Sequence, residues 1–165
     1  MKLVCKQIAT PLGRVLLAAS DAGLAGLWFD GQRHHPDASN WQVVKSQAWL
    51  DQCADELDAY FRGARRDFST PRAAAWGTPF QRNVWMALAA IPCGTTTTYG
   101  RLAAQLGKPQ AVRAVGAAVG RNPWSIIVPC HRVLGAGGEL TGYAGGLARK
   151  EALLRLEGVQ PLVAA

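Results

Sequence analysis

The chain has 165 residues, 49% hydrophobic and 18% charged, with a net charge of +7 at pH 7. That is enough apolar material for one core of ordinary size or two small ones, which excludes an intrinsically disordered chain. No stretch approaches the roughly 18 uninterrupted apolar residues of a membrane span. Lys2 and Lys6 flank too short an apolar run for a secretory signal, so a cytoplasmic protein that does not engage a membrane is expected.

The chain opens as a β-meander. Val4 to Ala9 and Arg14 to Ala19 flank the turn Thr10-Pro11-Leu12-Gly13, and Asp21-Ala22-Gly23 turns into Leu24 to Phe29. A polar loop over 30–40 carries His34 and His35, read as exposed. Val43, Leu50, Cys53, Leu57, Tyr60 and Phe61 then recur at helical spacing, with Gly63 as the stop. Residues 64–77, rich in Arg, Ala, Pro and Gly, read as a linker.

Thr78-Pro79-Phe80-Gln81 starts a helix with a hydroxyl cap, a proline in the first turn and a capping-box glutamine. Phe80, Val84, Leu88 and Ile91 share one face before Pro92 and Gly94 end it. Four threonines (95–98) lead into Tyr99 to Leu106, which Gly107 closes, and Pro109 opens a second short helix through Val119. This pair is a helix-turn-helix candidate. Its second helix is rich in Ala and Gly, which suits close helix packing as well as approach to a nucleic-acid groove, and Arg113 is the long side chain near its start. Ser125 to Val128 reads as a buried strand, Leu134 to Gly146 as a glycine-rich loop, and Leu147, Leu153, Leu154 and Leu156 as a last helix reaching Glu157-Gly158. The expected fold class is α+β, in which a small N-terminal antiparallel β-sheet plus helix domain (1–77) precedes a mostly helical C-terminal domain with a helix-turn-helix (78–165).

Charge and cysteine chemistry narrow the function. Residues 1–78 carry nine Lys/Arg against eight Asp/Glu, whereas 79–165 carry nine against three. No acid falls between Asp67 and Glu139, a stretch holding Arg72, Arg82, Arg101, Lys108, Arg113, Arg121 and Arg132. Such a stretch attracts a polyanion, although a basic surface of no special function has the same composition. Cys5, Cys53, Cys93 and Cys130 form no Cys-x-x-Cys pair, and free thiols in a reducing compartment account for them better than a zinc site built from Cys5, Cys53, His34 and His35. Pro129-Cys130-His131-Arg132-Val133 stands apart, because a neighbouring imidazole and guanidinium favour the thiolate over the thiol. A structural cysteine beside a surface histidine is the bland alternative.

The chain is similar to the O6-alkylguanine-DNA alkyltransferases in Arg113-Ala114-Val115-Gly116, Arg121-Asn122-Pro123, Val128-Pro129-Cys130-His131-Arg132-Val133, Thr141-Gly142-Tyr143-Ala144-Gly145-Gly146 and Leu153-Leu154-Arg155-Leu156-Glu157-Gly158. The resemblance is close over 78–158 and looser through Ile8-Ala9-Thr10-Pro11-Leu12-Gly13. Within the family it is to the compact bacterial form without an appended zinc-bearing domain. It implies Cys130 as alkyl acceptor, His131 as its activating base, Glu157 as the carboxylate orienting that base, and Asn122 as the residue holding the turn beside the cysteine. It implies Tyr99 as the residue that helps rotate the nucleotide outward and protonates the leaving guanine, and Arg113 as a finger entering the duplex. Ala114 and Gly116 would lie against the minor groove, while Tyr143, Ala144 and Val133 would line the base pocket. The implied partner is double-stranded DNA bearing O6-alkylguanine, bound by a monomer needing neither metal nor organic cofactor. O4-alkylthymine as a second substrate, the preferred alkyl size and cooperative binding on DNA stay open. A cysteine hydrolase would need an oxyanion hole and usually separates its cysteine and histidine in sequence; a DNA-binding relative without chemistry would lack the acceptor cysteine.

Overall fold

Alternating apolar positions and tight turns build strands β1 (Val4–Thr10), β2 (Gly13–Ser20) and β3 (Gly23–Phe29) in a computed structural model that describes residues 2–162. β1 pairs antiparallel with β2, and β2 with β3. The sheet is nevertheless mixed, not purely antiparallel as expected. A two-residue strand, β4 (Gln42–Val43), adds parallel to β1, giving the order β3-β2-β1-β4. Val43 is therefore a strand residue, 78% exposed, and not the first turn of the following helix. That helix, α1 (Ala48–Phe61), starts where the Gln47 side chain accepts from the backbone N–H groups of Trp49 and Leu50. Gly63 follows its last turn at φ +75°, the left-handed conformation glycine tolerates.

Helix α1 packs against β1, β2 and β3 through Leu50, Cys53 and Leu57. The opposite sheet face carries Leu16, Ala18 and Trp28 with Trp41 and Trp76. Trp28 folds so closely over Gly26 that a Cβ there would lie 2.1 Å from its ring. The stretch after α1 is not a slack linker. The buried Glu56 carboxylate accepts from the backbone N–H groups of Ser69 (3.0 Å) and Thr70 (3.0 Å) and from both hydroxyls, and it pairs with Arg65 Nη2 at 2.9 Å. Residues through Trp76 and the segment Pro123–Ile127 form one compact unit.

Gly77–Asn122 and the chain from Val128 onward form the second unit. Its helices are α2 (Pro79–Ala89), α3 (Tyr99–Gln105), α4 (Val112–Gly120) and α5 (Leu147–Leu156). The capping box at Thr78 and Gln81 is present in both directions. Helix α4 starts at Val112 behind an Ala111 cap with no side-chain bond, so Pro109 lies in the connection and does not open the helix. Residues 125–128 are not a strand. Trp124 makes one bridge to Leu27, and Ile126 sits at φ +72°, a costly conformation for a β-branched side chain. Beyond the bond from Ser125 N–H to Leu27 O the run turns on itself, with Ile127 N–H donating to Ser125 O, so its apolar residues are buried without forming a ladder. Among the described residues no helix is long and apolar enough to cross a membrane.

Burial alone would raise the pKa of Glu56, but its bonds from Ser69 and Thr70 outweigh this and lower it to about 2. A depressed carboxylate stabilises the fold above its unfolded value and loses that contribution as pH falls from about 4.5 toward 2. Glu56→Gln is expected to cost about 2–3 kcal/mol at pH 7 in urea unfolding. The difference from wild type should narrow as the titration is repeated below pH 4; a difference constant with pH would contradict this.

Candidate active site

Two short strands place the first site residues. β5 (Thr97–Thr98) pairs parallel with β6 (Val133–Leu134), Thr97 opposite Val133 and Thr98 opposite Leu134. The Thr98 hydroxyl caps α3 by accepting from Arg101 N–H at 3.1 Å. Tyr99, the first residue of α3, is thereby fixed beside the strand that leaves the 3-10 turn Cys130–Arg132. The ring of Tyr99 lies 3.8 Å from where a Cβ on Gly116 would stand, and its hydroxyl 3.7 Å from the equivalent point on Gly142. Both are ordinary van der Waals distances, so Tyr99 packs against these two positions without crowding them, and it is the φ of +55° at Gly142 that favours glycine there.

At the end of α5, Glu157 holds the turn. Its carboxylate accepts from Arg132 Nε at 2.8 Å and Nη2 at 2.9 Å, and lies 2.8 Å from His131 Nε2. Arg132 Nη1 also donates to the carbonyl of Ile91 at 2.6 Å. All three side chains are buried. A carboxylate facing Nε2 fixes the proton there and leaves the lone pair on Nδ1, which makes no hydrogen bond among the described residues. Burial holds His131 below its ordinary pKa against the opposing pull of Glu157, so the ring is neutral and able to accept a proton.

The expected reason for thiolate formation is therefore corrected. The guanidinium of Arg132 is spent on Glu157 and His131 is neutral, so neither flanking residue supplies Cys130 with a cation. Arg132 is also removed from the polyanion-facing set, because only 6% of it is exposed. Cys130 is itself 4% exposed, and burial pushes its thiol up. A hydrogen bond from Asn122 and the charge of Lys150 oppose that rise. The Asn122 amide also donates to Val128 O at 2.8 Å, fastening the chain two residues before the cysteine.

Lys150 went unremarked in the sequence. Its Nζ donates to the carbonyls of Val133 (2.6 Å), Thr141 (2.8 Å) and Gly142 (3.0 Å) and is fully buried. Thr141 O also accepts from the Tyr99 hydroxyl at 3.2 Å. The signal was available: Lys150, Leu153, Leu154 and Glu157 fall at i, i+3, i+4 and i+7 and form the inward face. Leu147 and Leu156, which the leucine pattern put inside, are 46% and 40% exposed.

Of the remaining candidates, Val133 joins this cluster through its backbone. Arg113 and Ala114 are exposed on α4 and Gly116 is half-buried. Arg82, Arg101, Lys108 and Arg121 are exposed in the same unit. Val133 is buried beside the turn, and Tyr143 and Ala144 are half-buried in the loop that Lys150 holds. Burial pushes the thiols of Cys5 and Cys53 up, which makes them unreactive. No group of three or more His, Cys, Asp or Glu among the described residues could hold a metal ion, so Cys5, Cys53, His34 and His35 do not form a site there.

Two family models match the chain: the 6-O-methylguanine DNA methyltransferase DNA binding domain over residues 79–159, and the 6-O-methylguanine DNA methyltransferase ribonuclease-like domain over 3–73. Methylated-DNA--protein-cysteine methyltransferase of Salmonella typhimurium is 63% identical over 105 residues, covering 64% of this chain and 61% of that protein. The protein of the same name from Methanosarcina acetivorans is 47% identical over 150 residues, covering 90% of this chain and 94% of its own length. The crystal structure of Mycobacterium tuberculosis OGT in complex with DNA superposes with a TM-score of 0.86 at 44% identity, covering 93% of this chain and 92% of that one.

Removing the shared carboxylate separates buried from surface ion pairs. Glu157→Gln strands two buried donors and is expected to cost about 3–5 kcal/mol in urea unfolding. Glu151→Gln, which breaks only the helix-surface pair with Arg155, should cost less than about 1 kcal/mol. Equal costs would show that Glu157 does not hold the turn.

Proposed function

Because the chain belongs to the 6-O-methylguanine DNA methyltransferase family, we propose that it repairs duplex DNA by moving the alkyl group of O6-alkylguanine onto its own Cys130. The observation that carries this is the buried cysteine in a turn whose adjacent histidine is locked by Glu157 with Nδ1 left as a base.

In this reading the Nδ1 lone pair of His131 takes the thiol proton, directly or through a water. The sulfur then attacks the saturated carbon in line. The sulfur–carbon bond forms, the carbon–oxygen bond breaks, and the electron pair leaves on the guanine oxygen. That oxygen must not leave as a bare anion, and the Tyr99 hydroxyl supplies a proton to the base as it leaves. The product is a thioether, which water does not readily cleave. With no second nucleophile to free it, Cys130 is used once, and each molecule repairs one lesion without metal or organic cofactor.

A target inside the stack must be flipped out, at a cost of a few kcal/mol. Helices α3 and α4 act as a helix-turn-helix, with α4 against the minor groove. Ala114 and Gly116 let its backbone approach, and Arg113 fills the space the base vacates. Exposed Arg82, Arg101, Lys108 and Arg121 supply phosphate contacts that carry little sequence information. Val133, Tyr143 and Ala144 wall the base pocket, residues 1–77 support the acceptor domain, and the protein works as a cytoplasmic monomer.

Incubation with a duplex bearing O6-methylguanine should raise the intact mass by one methylene, located at Cys130 by peptide mapping and absent in Cys130→Ala. An unmodified protein with an unrepaired duplex would overturn the reading. Arg113→Ala is expected to slow duplex repair by on the order of 10- to 100-fold, the rate equivalent of part of the flipping cost. Transfer from free O6-benzylguanine should change little, and equal losses on both substrates would remove the finger role.

A further inference from the structure

Besides the Cys130 thiol, four ionisable side chains of the second unit have almost no exposure: His131, Arg132, Lys150 and Glu157. Arg132 and Glu157 cancel in a bidentate pair, and His131 is neutral. That leaves one positive charge. Lys150 is fully buried, and all three of its donors go to carbonyl oxygens. Among the described residues no carboxylate pairs with it. Carbonyls solvate an ammonium without cancelling its charge, and a buried charge left uncancelled is unstable. Lys150 Nζ is bonded to the carbonyl of Val133, the residue that caps the Cys130–Arg132 turn and donates its N–H to Cys130 O, and its charge acts on the Cys130 thiol. The Tyr99 phenol on α3 has its ring centroid 5.9 Å from Nζ. Of the other charged groups on the same turn and helix, Arg132 pairs with Glu157 beside His131, Glu151 pairs with Arg155 on the helix surface, and Arg149 donates to the Gly145 carbonyl.

We propose that Lys150 is the counter-ion of the Cys130 thiolate, a positioning residue held by three carbonyls so that its charge stands where the sulfur ionises. This rests on the reading of Cys130 as the acceptor. The thiol is the more acidic of the two groups by its ordinary value, so it is the one whose ionisation completes the pair. Two of the three carbonyls, Thr141 and Gly142, begin the loop that carries Tyr143 and Ala144, and the third, Val133, leaves the acceptor turn. One ammonium therefore fixes the loop and charges the nucleophile together. Burial lowers Lys150 to about 8, and the charge of Cys130 opposes that fall.

The coupling is reciprocal by linkage: whatever Lys150 does to the acidity of Cys130, Cys130 does to Lys150 with equal magnitude. Two measurements follow that use no DNA, so they stand or fall separately from alkyl transfer. In the first, the Cys130 thiolate is titrated by its rate of modification with iodoacetamide, read on the Cys130 peptide. Lys150→Met should lower the thiolate fraction at pH 7 by about tenfold and move the pH profile upward, as the loss of a nearby buried charge requires. Lys150→Arg, which keeps the charge, should restore most of it. A lysine with a purely structural role would alter the rate at every pH without moving the midpoint, and that result overturns the proposal.

The second measurement survives a failure of the lysine variants to fold. In the folded wild-type protein the Lys150 side-chain carbon next to Nζ is titrated by NMR and compared with Cys130→Ser. Loss of the thiolate should lower the Lys150 midpoint. An unchanged midpoint overturns the assignment.

Discussion

The turn that carries Cys130 depends on one buried carboxylate. Glu157 caps the C-terminus of α5, where the helix dipole disfavours negative charge, and its side chain is too buried for water to offset that. It is tolerated because Arg132 and His131 both reach it at hydrogen-bond distance. The same three contacts fix the short turn that holds Cys130 ahead of β6. The interaction is therefore mutual: the turn stabilises the charge, and the charge stabilises the turn. Arg132 is the part of this arrangement most easily misjudged, since its position next to Cys130 in sequence suggests an electrostatic effect on sulfur that its bidentate pairing forecloses.

Much of this was legible in the sequence, and the failures have common causes. The meander, the capping box at Thr78 and the glycine stops at Gly63 and Gly107 are local signals, and the backbone obeys them. Val43, Pro109 and residues 125–128 were misread where a short apolar or proline-marked run fits two structures equally well. Periodicity reports burial before it reports secondary structure, which is why the buried but unpaired run at Ile126 looked like a strand. The two-residue pair β5–β6 left no readable pattern, yet it sets Tyr99 beside the turn that carries Cys130.

The site divides in the same way. Cys130, His131, Asn122 and Glu157 were found through their motifs, and the structure brings them together. Lys150 was missed because a lysine is scored as surface by composition, and the leucines around it suggested a different inward face. Leu147 and Leu156 lie outside, while Lys150 and Glu157 occupy core positions on α5. A helix that buries a lysine and a glutamate and exposes two leucines violates the ordinary pattern. Such violations concentrate where chemistry has overridden packing.

That inversion also bears on why the thiol is kept so deeply buried. Burial raises the acidity threshold of Cys130, which by itself would make a poor nucleophile, and it protects the sulfur from adventitious electrophiles. A cation and an amide placed beside it recover part of the lost acidity without exposing it. A catalyst that recycles could tolerate a more open, more reactive thiol, because an unproductive encounter costs one cycle. An acceptor that reacts once loses the whole molecule to any stray alkylation. On the proposed reading of Cys130 as a single-use acceptor, activation by buried neighbours and exclusion of solvent would serve the same end, keeping the sulfur for a group already carried to it.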